Sequence, residues 1–191
     1  MNSLYQLFID VTSKKCVLAI YKNFKILANI IVETNNNLTD IIVEHIIALL
    51  KAVHLKYQDL DAIYLDIGPG SFTGVRVGAI VAKTICTTHN QIKLFINDSL
   101  NIIANNKNNV FVHLDAKGNK SYTISIINNI QSDYRIITNE QLQIELKNTS
   151  LTIIDANQVD YHNLIYNLKF DNFKLTNILD FDLNYVKKPL S

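Results

Sequence analysis

Four of the five glycines of this chain lie in one stretch, GPGSFTGVRVG, which runs from Gly68 to Gly78. The apolar run from Ala62 to Ile67 before it has the length of a strand, and the residues from Ser71 to about Thr88 after it have helical period. Strand, glycine-rich turn and helix follow in this order in α/β proteins, where backbone N–H groups at the helix start can bind an anion. The stretch therefore predicts an α/β fold with a close backbone approach at this turn.

The spacing of these glycines differs from that of the common phosphate-binding loops. They are separated by 2, 4 and 4 residues, so neither GxxxxGK followed by Ser or Thr nor GxGxxG is present. Ser71 or Thr73 can cap the helix, and Gly68 and Gly70 supply the backbone freedom that a tight turn needs. An anion site and a purely structural turn therefore both stay open, and the residues concerned are Gly68, Pro69, Gly70, Ser71 and Thr73.

A stripe of small side chains runs along the predicted helix, because Gly74, Gly78, Ala82 and Cys86 recur every fourth residue. A glycine inside a helix costs about 0.5–1 kcal/mol relative to alanine, so the stripe indicates the close approach of another element. That element could be a helix of the same domain or of another subunit, and the period does not separate the two.

The helix predicted from Leu38 to Val53 carries more apolar surface than one core contact needs. Its Leu, Ile and Val side chains cover an arc of roughly 240°, whereas about 100° suffices for one core-facing side. We interpret this helix and the small-residue helix as a helix-on-helix subunit interface. The predicted interface residues are Ile42, His45, Ile46, Leu49, Phe72, Gly74, Val75, Arg76, Gly78 and Ala82.

Within this interface, Phe72 and Val75 are expected to anchor the contact, and Gly74 and Gly78 to permit it. Arg76, one of only two arginines in the chain, is expected to orient the partner, because lysine cannot reproduce its planar fork of donors. We therefore expect Gly78→Leu to leave the fold intact and to abolish pairing.

The chain divides at the polar stretch Asn105 to Asn109. Before it, strands at 4–10, 16–21 and 25–32 form a meander, and the order of elements is βββαβαβα, with Asp98 expected to cap the last helix. After it, strand patterns restart as a reduced copy of the first half. We predict an N-terminal half over residues 1–105, which holds the interface helices, and a smaller C-terminal half over 106–191.

Composition limits the classes of function that we expect of this chain. A net charge of +1 gives no basic footprint for nucleic acid, so direct RNA binding by this chain alone is not predicted. Cys16 and Cys86 lack CxxC spacing, and two reduced thiols are the simplest interpretation. The chain start is too short and polar for a secretory leader, and no apolar run approaches the roughly 18 residues of a membrane span. We expect a cytoplasmic protein.

Several stretches of the sequence resemble the TsaB (YeaZ) family. They are Asp59 to Ile63 before the glycine stretch, GPGSFTGVRVG itself, Asp10 to Ser13, and Asp115 to Asn119. The match covers most of residues 4 to 128, and the C-terminal third matches only through Tyr185-Val186-Lys187. The resemblance implies an α/β fold of two ribonuclease-H-like halves of the actin and sugar-kinase (ASKHA) superfamily, with the second half reduced.

The same resemblance implies a role in making N6-threonylcarbamoyladenosine next to the anticodon of tRNA. Members of the family do not carry out the transfer themselves; they pair with and activate a metal-bearing catalytic paralogue, TsaD, through the two helices described above, and the pair recruits an ATPase subunit, TsaE. The chain is thus expected to have no catalytic residue, metal or cofactor of its own and to meet tRNA only indirectly. ATP or ADP at the partner interface and a homodimer without the partner are both compatible with this role.

An autonomous nucleotide-binding enzyme of the same superfamily is the main alternative. Active members follow the first strand's aspartate with glycine, whereas Asp10 is followed by Val11, whose branched side chain opposes the close approach of a phosphate. Asp10 is thus expected to cap a turn. By resemblance, Asp10 and Thr12 still join the possible nucleotide or anion loop, with Lys14 and Lys15 nearby.

A metalloenzyme or a protease needs residues that this sequence does not bring together. The catalytic paralogue holds its metal through an HxxxH pair, and no two histidines here have that spacing; they are His45, His54, His89, His113 and His162. Ser71 lies outside a GxSxG motif, so M22-like proteolysis is the least favoured function. The sequence departs from the family at residues 35–37, Lys117 and Lys120, and no polar role is assigned there.

Overall fold

The computed structural model describes residues 3–34, 37–178 and 180–184. Two short 3-10 turns lie at Tyr57–Asp59 and Ala156–Gln158. The strands and helices are β1 Tyr5–Asp10, β2 Lys15–Lys22, β3 Lys25–Glu33, α1 Leu38–Ala52, β4 Ala62–Asp66, α2 Phe72–Thr88, β5 Lys93–Asn97, α3 Ser99–Ala104, β6 Val110–Asp115, β7 Lys120–Ile127, β8 Ile130–Gln131, β9 Arg135–Thr138, α4 Asn139–Asn148, β10 Thr152–Asp155, α5 Tyr161–Tyr166 and β11 Lys174–Thr176.

The first sheet has the strand order β11-β5-β4-β1-β2-β3. β1, β2 and β3 form the antiparallel meander that the sequence predicts, and β4 and β5 lie parallel to β1. β11 closes the far edge, antiparallel to β5. Because β1, β4 and β5 run in the same direction, their carboxyl ends meet at one edge of the sheet, and the glycine turn follows β4 at that edge.

Each face of the first sheet has its own core. Leu7 and Ile9 of β1 point into a core shared with α1 and α2, and Phe8 points to the opposite one, since strand side chains alternate between faces. α5 and the segment after it cover that opposite face, where Phe173 packs edge-on against Phe8. The interface helices predicted from the sequence therefore share one side of the sheet.

The second sheet has the order β10-β6-β7-β8, with β9 also paired to β7. α3 packs on one face through Leu100 and Ala104, and α4 packs on the other, where Leu142 joins Phe111 and Ile137. Asp98 caps α3 by accepting the N–H of residue 101, as predicted. The two sheets confirm the mixed α/β architecture.

The chain path after Val159 was not indicated by the sequence. The division at residue 105 stays a prediction: β6 begins the second sheet, but α5 and β11 return to the first. Phe181 is buried in the core beneath α1 and α2. The sequence of these elements has no clear strand or helix period. They form because they complete a core that the first half leaves open. None of the helices in the described ranges combines the length and apolar character that a bilayer crossing requires.

Candidate functional site

Three polar side chains lie side by side where the parallel strands of the first sheet end. β4 pairs Asp66 with Asn97 of β5, and β1 pairs Ile9 with Leu65, one residue before Asp10 and Asp66. All three polar residues are buried, and the Asn97 amide nitrogen has no hydrogen-bond partner in the described part of the chain. Ligands of α/β proteins bind at this edge. Sequence reasoning identified Asp10 and missed the other two, although each ends an apolar strand.

Hydroxyl and backbone groups surround the two carboxyl groups. Thr12 donates its N–H to Asp10 Oδ1 at 2.9 Å, and its hydroxyl lies 2.9 Å from the same oxygen and 3.2 Å from Asp66 Oδ2. The Ser99 hydroxyl and the Gly68 N–H each donate to Asp66 Oδ1 at 2.8 Å. Asp10 therefore caps the turn after β1, as predicted, and it also belongs to a buried network with Asp66.

Burial dominates the electrostatics of this carboxyl pair. Loss of solvation raises the pKa of Asp66 well above its ordinary value, and the adjacent Asp10 carboxylate raises it further. Loss of solvation also raises the pKa of Asp10, while hydrogen bonds from Thr12 and Asp66 act in the opposite direction. Asp66 therefore retains a proton at pH values where an exposed carboxyl has lost it, and it donates that proton to Asp10.

This shared proton predicts a pH dependence of stability that Asp66→Asn removes. A carboxyl whose pKa is raised on folding stabilises the fold fully below its unfolded pKa of about 3.8, and that stabilisation is lost as pH rises through the folded pKa. Asparagine keeps an acceptor oxygen and donates to Asp10 without ionising. We expect Asp66→Asn to gain stability over wild type as pH rises from 4 to 8, measured by urea unfolding. Asp133→Asn, at an exposed carboxylate, is the control; a constant difference between wild type and Asp66→Asn across that range would contradict the shared proton.

The glycine turn closes over the pair and presses against the backbone that follows β1. The Ser71 N–H donates to Thr12 O at 2.6 Å, and a Cβ on Gly70 would lie 2.2 Å from the same oxygen. Gly68 has φ +94°, which a residue with a side chain rarely adopts. Ser71 is the helix cap, since its hydroxyl accepts the Gly74 N–H at 3.2 Å; this decides between the two predicted caps.

The turn does not fit a phosphate group in this conformation. Three of its N–H groups already donate to Asp66, to Thr12 O and to the Ser71 side chain, and Pro69 has none to offer. An anion would have to displace these bonds and lie beside the carboxyl pair. The predicted loop residues are thus brought together as a closed turn, and a nucleotide held at a partner interface stays a prediction.

The small-residue stripe of α2 faces the chain's own first sheet. A Cβ on Gly74 would lie 1.9 Å from Val11 O, and one on Gly78 would lie 2.9 Å from Val11 Cγ2 and 3.4 Å from Leu65 Cδ1. Ala82, farther along the stripe, is also buried. The small side chains of the stripe leave room for β1 and the residue after it. This side of α2 is therefore not accessible to a partner helix. The expectation that Gly78→Leu spares the fold is wrong for the same reason.

Several other predicted interface residues are buried in the same core. Ile42, Ile46 and Leu49 of α1 pack against the first sheet, and Val75 of α2 is buried as well. His45 is half-buried. The apolar arc of a helix shows how many side chains are apolar but not which of them are buried within the same chain. Here these four are buried within the chain. They hold the helices in place and are not available to a partner while the fold is intact.

The solvent side of α1 and α2 carries a second set of side chains, which we call the outer face: the apolar Val43, Ile47, Phe72 and Ile80, together with Arg76. Val43 and Ile47 are 43% and 37% exposed, and Phe72 and Ile80 are 52% and 65% exposed. The guanidinium carbon of Arg76 lies 3.8 Å from the centre of the Phe72 ring, a cation–π contact. Sequence reasoning identified Phe72 and Arg76 and missed the rest. The signal was present, because Phe72, Arg76 and Ile80 recur every fourth residue about 200° around the helix from the glycine stripe.

Within the described ranges, no group of three or more His, Cys, Asp or Glu residues is placed to hold a metal ion. Cys16 and Cys86 are both free and buried. His113 Nδ1 lies 3.8 Å from Asp155 Oδ1, and burial lowers the pKa of His113.

The predicted family match at residues 185–187 lies outside the described residues.

A family model and two curated proteins match the sequence. The model of tRNA N6-adenosine threonylcarbamoyltransferase (TsaD) matches residues 25–163. The uncharacterized MG208 homolog of Mycoplasma pneumoniae is 38% identical over 100 residues, and MG208 of Mycoplasma genitalium is 32% identical over 100 residues. Each match covers 51% of this chain and 51% of the relative. The chain thus spans about half the length of the curated relatives it matches.

Solved structures from Pseudomonas aeruginosa share the fold. An uncharacterized protein with similarity to peptidase YeaZ superposes with a TM-score of 0.63 at 16% identity, over 81% of this chain and 83% of that one. YeaZ itself gives a TM-score of 0.58 at 19% identity, over 72% and 68%. The expected α/β fold is confirmed, because the chain superposes on both of these structures.

Proposed function

The chain belongs to the tRNA N6-adenosine threonylcarbamoyltransferase family, and we propose that within this family it is a non-catalytic subunit of the TsaB (YeaZ) type. Such a subunit pairs with the metal-bearing paralogue TsaD and activates it for transfer of the threonylcarbamoyl group to the adenosine next to the tRNA anticodon. The ATPase subunit TsaE joins through the pair, and tRNA is held by the assembled complex. This chain contributes a surface and no reacting group.

The outer face is the observation that carries this proposal. Its apolar side chains stay exposed on helices that already bury a full core, and exposed apolar groups gathered on one surface favour a protein interface. Phe72 and Arg76 are of residue types enriched at the centre of interfaces. Ile42 of α1 and Ala79 of α2 are buried in the first core and fix the helices to the sheet. Docking therefore orders little backbone, and less of the binding free energy is lost to entropy.

The enclosed carboxyl pair supports the non-catalytic assignment. Asp10 and Asp66 stand at the edge of the sheet where ligands of α/β proteins bind. Here they are buried and bonded to each other, to Thr12 and to Ser99. Both side chains are almost fully buried, so a substrate does not reach them in this conformation.

Reconstitution with purified components tests the proposed function. TsaD from the same cells is supplied with TsaE, ATP, threonylcarbamoyl-adenylate and unmodified tRNA, with or without this chain. We expect modified adenosine to accumulate only when this chain is present, and we expect this chain alone to form none. Equal yields with and without it would contradict the activating role.

Autonomous nucleotide binding is the second candidate, and one observation favours it. The Asn97 amide nitrogen is a buried donor without a partner in the described ranges, and it lies next to Asp66. Calorimetry of the isolated chain with magnesium ATP and ADP separates the two functions. Micromolar binding with turnover would replace the subunit role. The proposed function expects neither, and it expects that the outer face pairs two copies of the chain at high concentration, which sedimentation would detect.

A further inference from the structure

β3 forms one edge of the first sheet, and with nine residues it is the longest of the described strands. It contains no proline or glycine, and its only charged residues are Lys25 and Glu33 at its two ends. In the described part of the chain, nothing bonds to the N–H and C=O groups on the side of β3 that faces away from β2. Proteins usually shorten, cover or charge such an edge, because an unpaired edge joins other strands. The outer edge of β3 is therefore available to another strand.

The middle of β3 is apolar and incompletely covered. Ala28, Ile30 and Val32 pack against the first core, and Ile31 packs against the opposite one, yet all four are only partly buried. Leu27 is 46% exposed. The neighbouring strand β2, which is paired on both sides, has a fully buried middle. A strand added beside β3 would cover the flanks of these apolar side chains in the same way.

The charges at the two ends of β3 are complementary across a second copy of the chain. β3 has the sequence KILANIIVE, and Asn29 lies at its centre. An antiparallel copy centred on Asn29 brings Lys25 of each chain opposite Glu33 of the other. Both charged side chains are exposed, and within the described ranges neither forms an ion pair. In β2, Lys15 stands opposite Glu33 and Lys22 stands opposite Lys25; an added carboxylate would relieve the repulsion between the two lysines.

The two faces of the sheet also match in this register. Ala28 would pair with Ile30 of the second copy, and both residues pack on the α1 side of the sheet. Asn29 would pair with itself, and one side-chain amide can donate to the other. A slip by one residue would bring side chains of opposite faces together, and a slip by two would separate the charged ends. Leu27 has no partner in β2; this bulge displaces the Lys25 end by about 3.3 Å, which a lysine side chain can span.

We propose that the outer edge of β3 pairs with the β3 edge of a second copy of this chain, antiparallel and centred on Asn29, so that the two first sheets become one continuous sheet. Such a contact uses the same surface on both copies and closes with two chains. It differs from the outer face, which lies on the solvent side of α1 and α2, whereas the β3 edge lies in the plane of the sheet. The inference therefore does not depend on pairing with TsaD.

Exchange of the two end charges tests this register. All chains carry Phe72→Asp with Ile80→Asp, so that the outer face does not pair copies, and sedimentation equilibrium gives the dissociation constant of the dimer. Lys25→Glu and Glu33→Lys each place like charges at both ends, and each should weaken the dimer about tenfold. The chain with both changes, and an equimolar mixture of the two single variants, should recover the starting affinity. The control is Lys107→Glu, at an exposed lysine before β6, which should leave the dimer unchanged.

Three results would overturn the proposal. The first is a chain with an intact β3 that stays monomeric up to its solubility limit in this background. The second is a loss of affinity in both single variants without recovery in the mixture, because the two ends then do not meet. The third comes from amide hydrogen exchange, which should slow in β3 as the dimer forms, since its outer N–H groups become bonded. A dimer that leaves exchange in β3 unchanged would place the contact elsewhere.

Discussion

We expect Gly74→Ala to lower the free energy of unfolding by about 3 kcal/mol or more. The added methyl group would lie 1.9 Å from Val11 O and 3.0 Å from Val11 C. Both are backbone atoms, so no change of rotamer relieves the overlap, and α2 must move away from the residue after β1. That movement also strains the bond from the Ser71 N–H to Thr12 O, which holds the glycine turn closed. Urea unfolding of the isolated chain measures the change.

Two other glycines supply the comparison. Gly118→Ala, with φ +62° and no heavy atom within 4 Å of the new methyl group, should cost only about 1 kcal/mol from its backbone conformation. Gly78→Ala should fall between the two, because its methyl group meets the end of the Val11 side chain, which can yield. If Gly74→Ala is no more destabilising than Gly118→Ala, the close contact between α2 and the chain after β1 does not exist in solution.

Phe72→Asp combined with Ile80→Asp should weaken binding to TsaD at least a hundredfold, about 2.7 kcal/mol. Phe72 is 52% exposed and Ile80 is 65% exposed, so both positions accept a carboxylate without loss of the core. At an interface the same carboxylates have to be desolvated, and the cation–π contact of Arg76 with Phe72 is lost. Calorimetry gives the affinity, and reconstitution should show a matching loss of modified tRNA.

The matched control places a carboxylate on an exposed isoleucine elsewhere. Ile130 in β8 is 73% exposed and belongs to the second sheet. We expect Ile130→Asp to bind TsaD as wild type does and to support full modification. Equal losses from the outer-face variant and from Ile130→Asp would point to a general effect of added negative charge. An outer-face variant with unchanged affinity would move the interface away from α1 and α2.

Local patterns in the sequence were sufficient for most of the fold. The strand runs of the first meander and the helical period after Ser71 are short-range properties, and the structure reproduces both. Capping by Asp98 was predicted because a carboxylate directly before a helix satisfies free N–H groups. α5 and β11 were not predicted, since they are stabilised by a distant sheet, and a local pattern does not record a distant contact.

The candidate site, like the fold, was predictable from the sequence only in part. Asp10 is recognisable in sequence because it follows an apolar strand and precedes a turn. Asp66 and Asn97 carry the same signal, but their relation to Asp10 depends on strand register. The shared proton is inferred from the burial of both carboxyl groups. The sequence alone does not show that burial.

The sequence by itself determined that the glycines of α2 admit a close neighbour, because a glycine repeated every fourth residue leaves one side of a helix without side chains. Only the tertiary structure decided which neighbour that is. The stripe meets Val11 of the same chain, and the opposite side of the helix, with Phe72 and Ile80, is exposed. Periodicity fixes which residues share a side of a helix, whereas the packing of the helix on its sheet fixes which side faces inward.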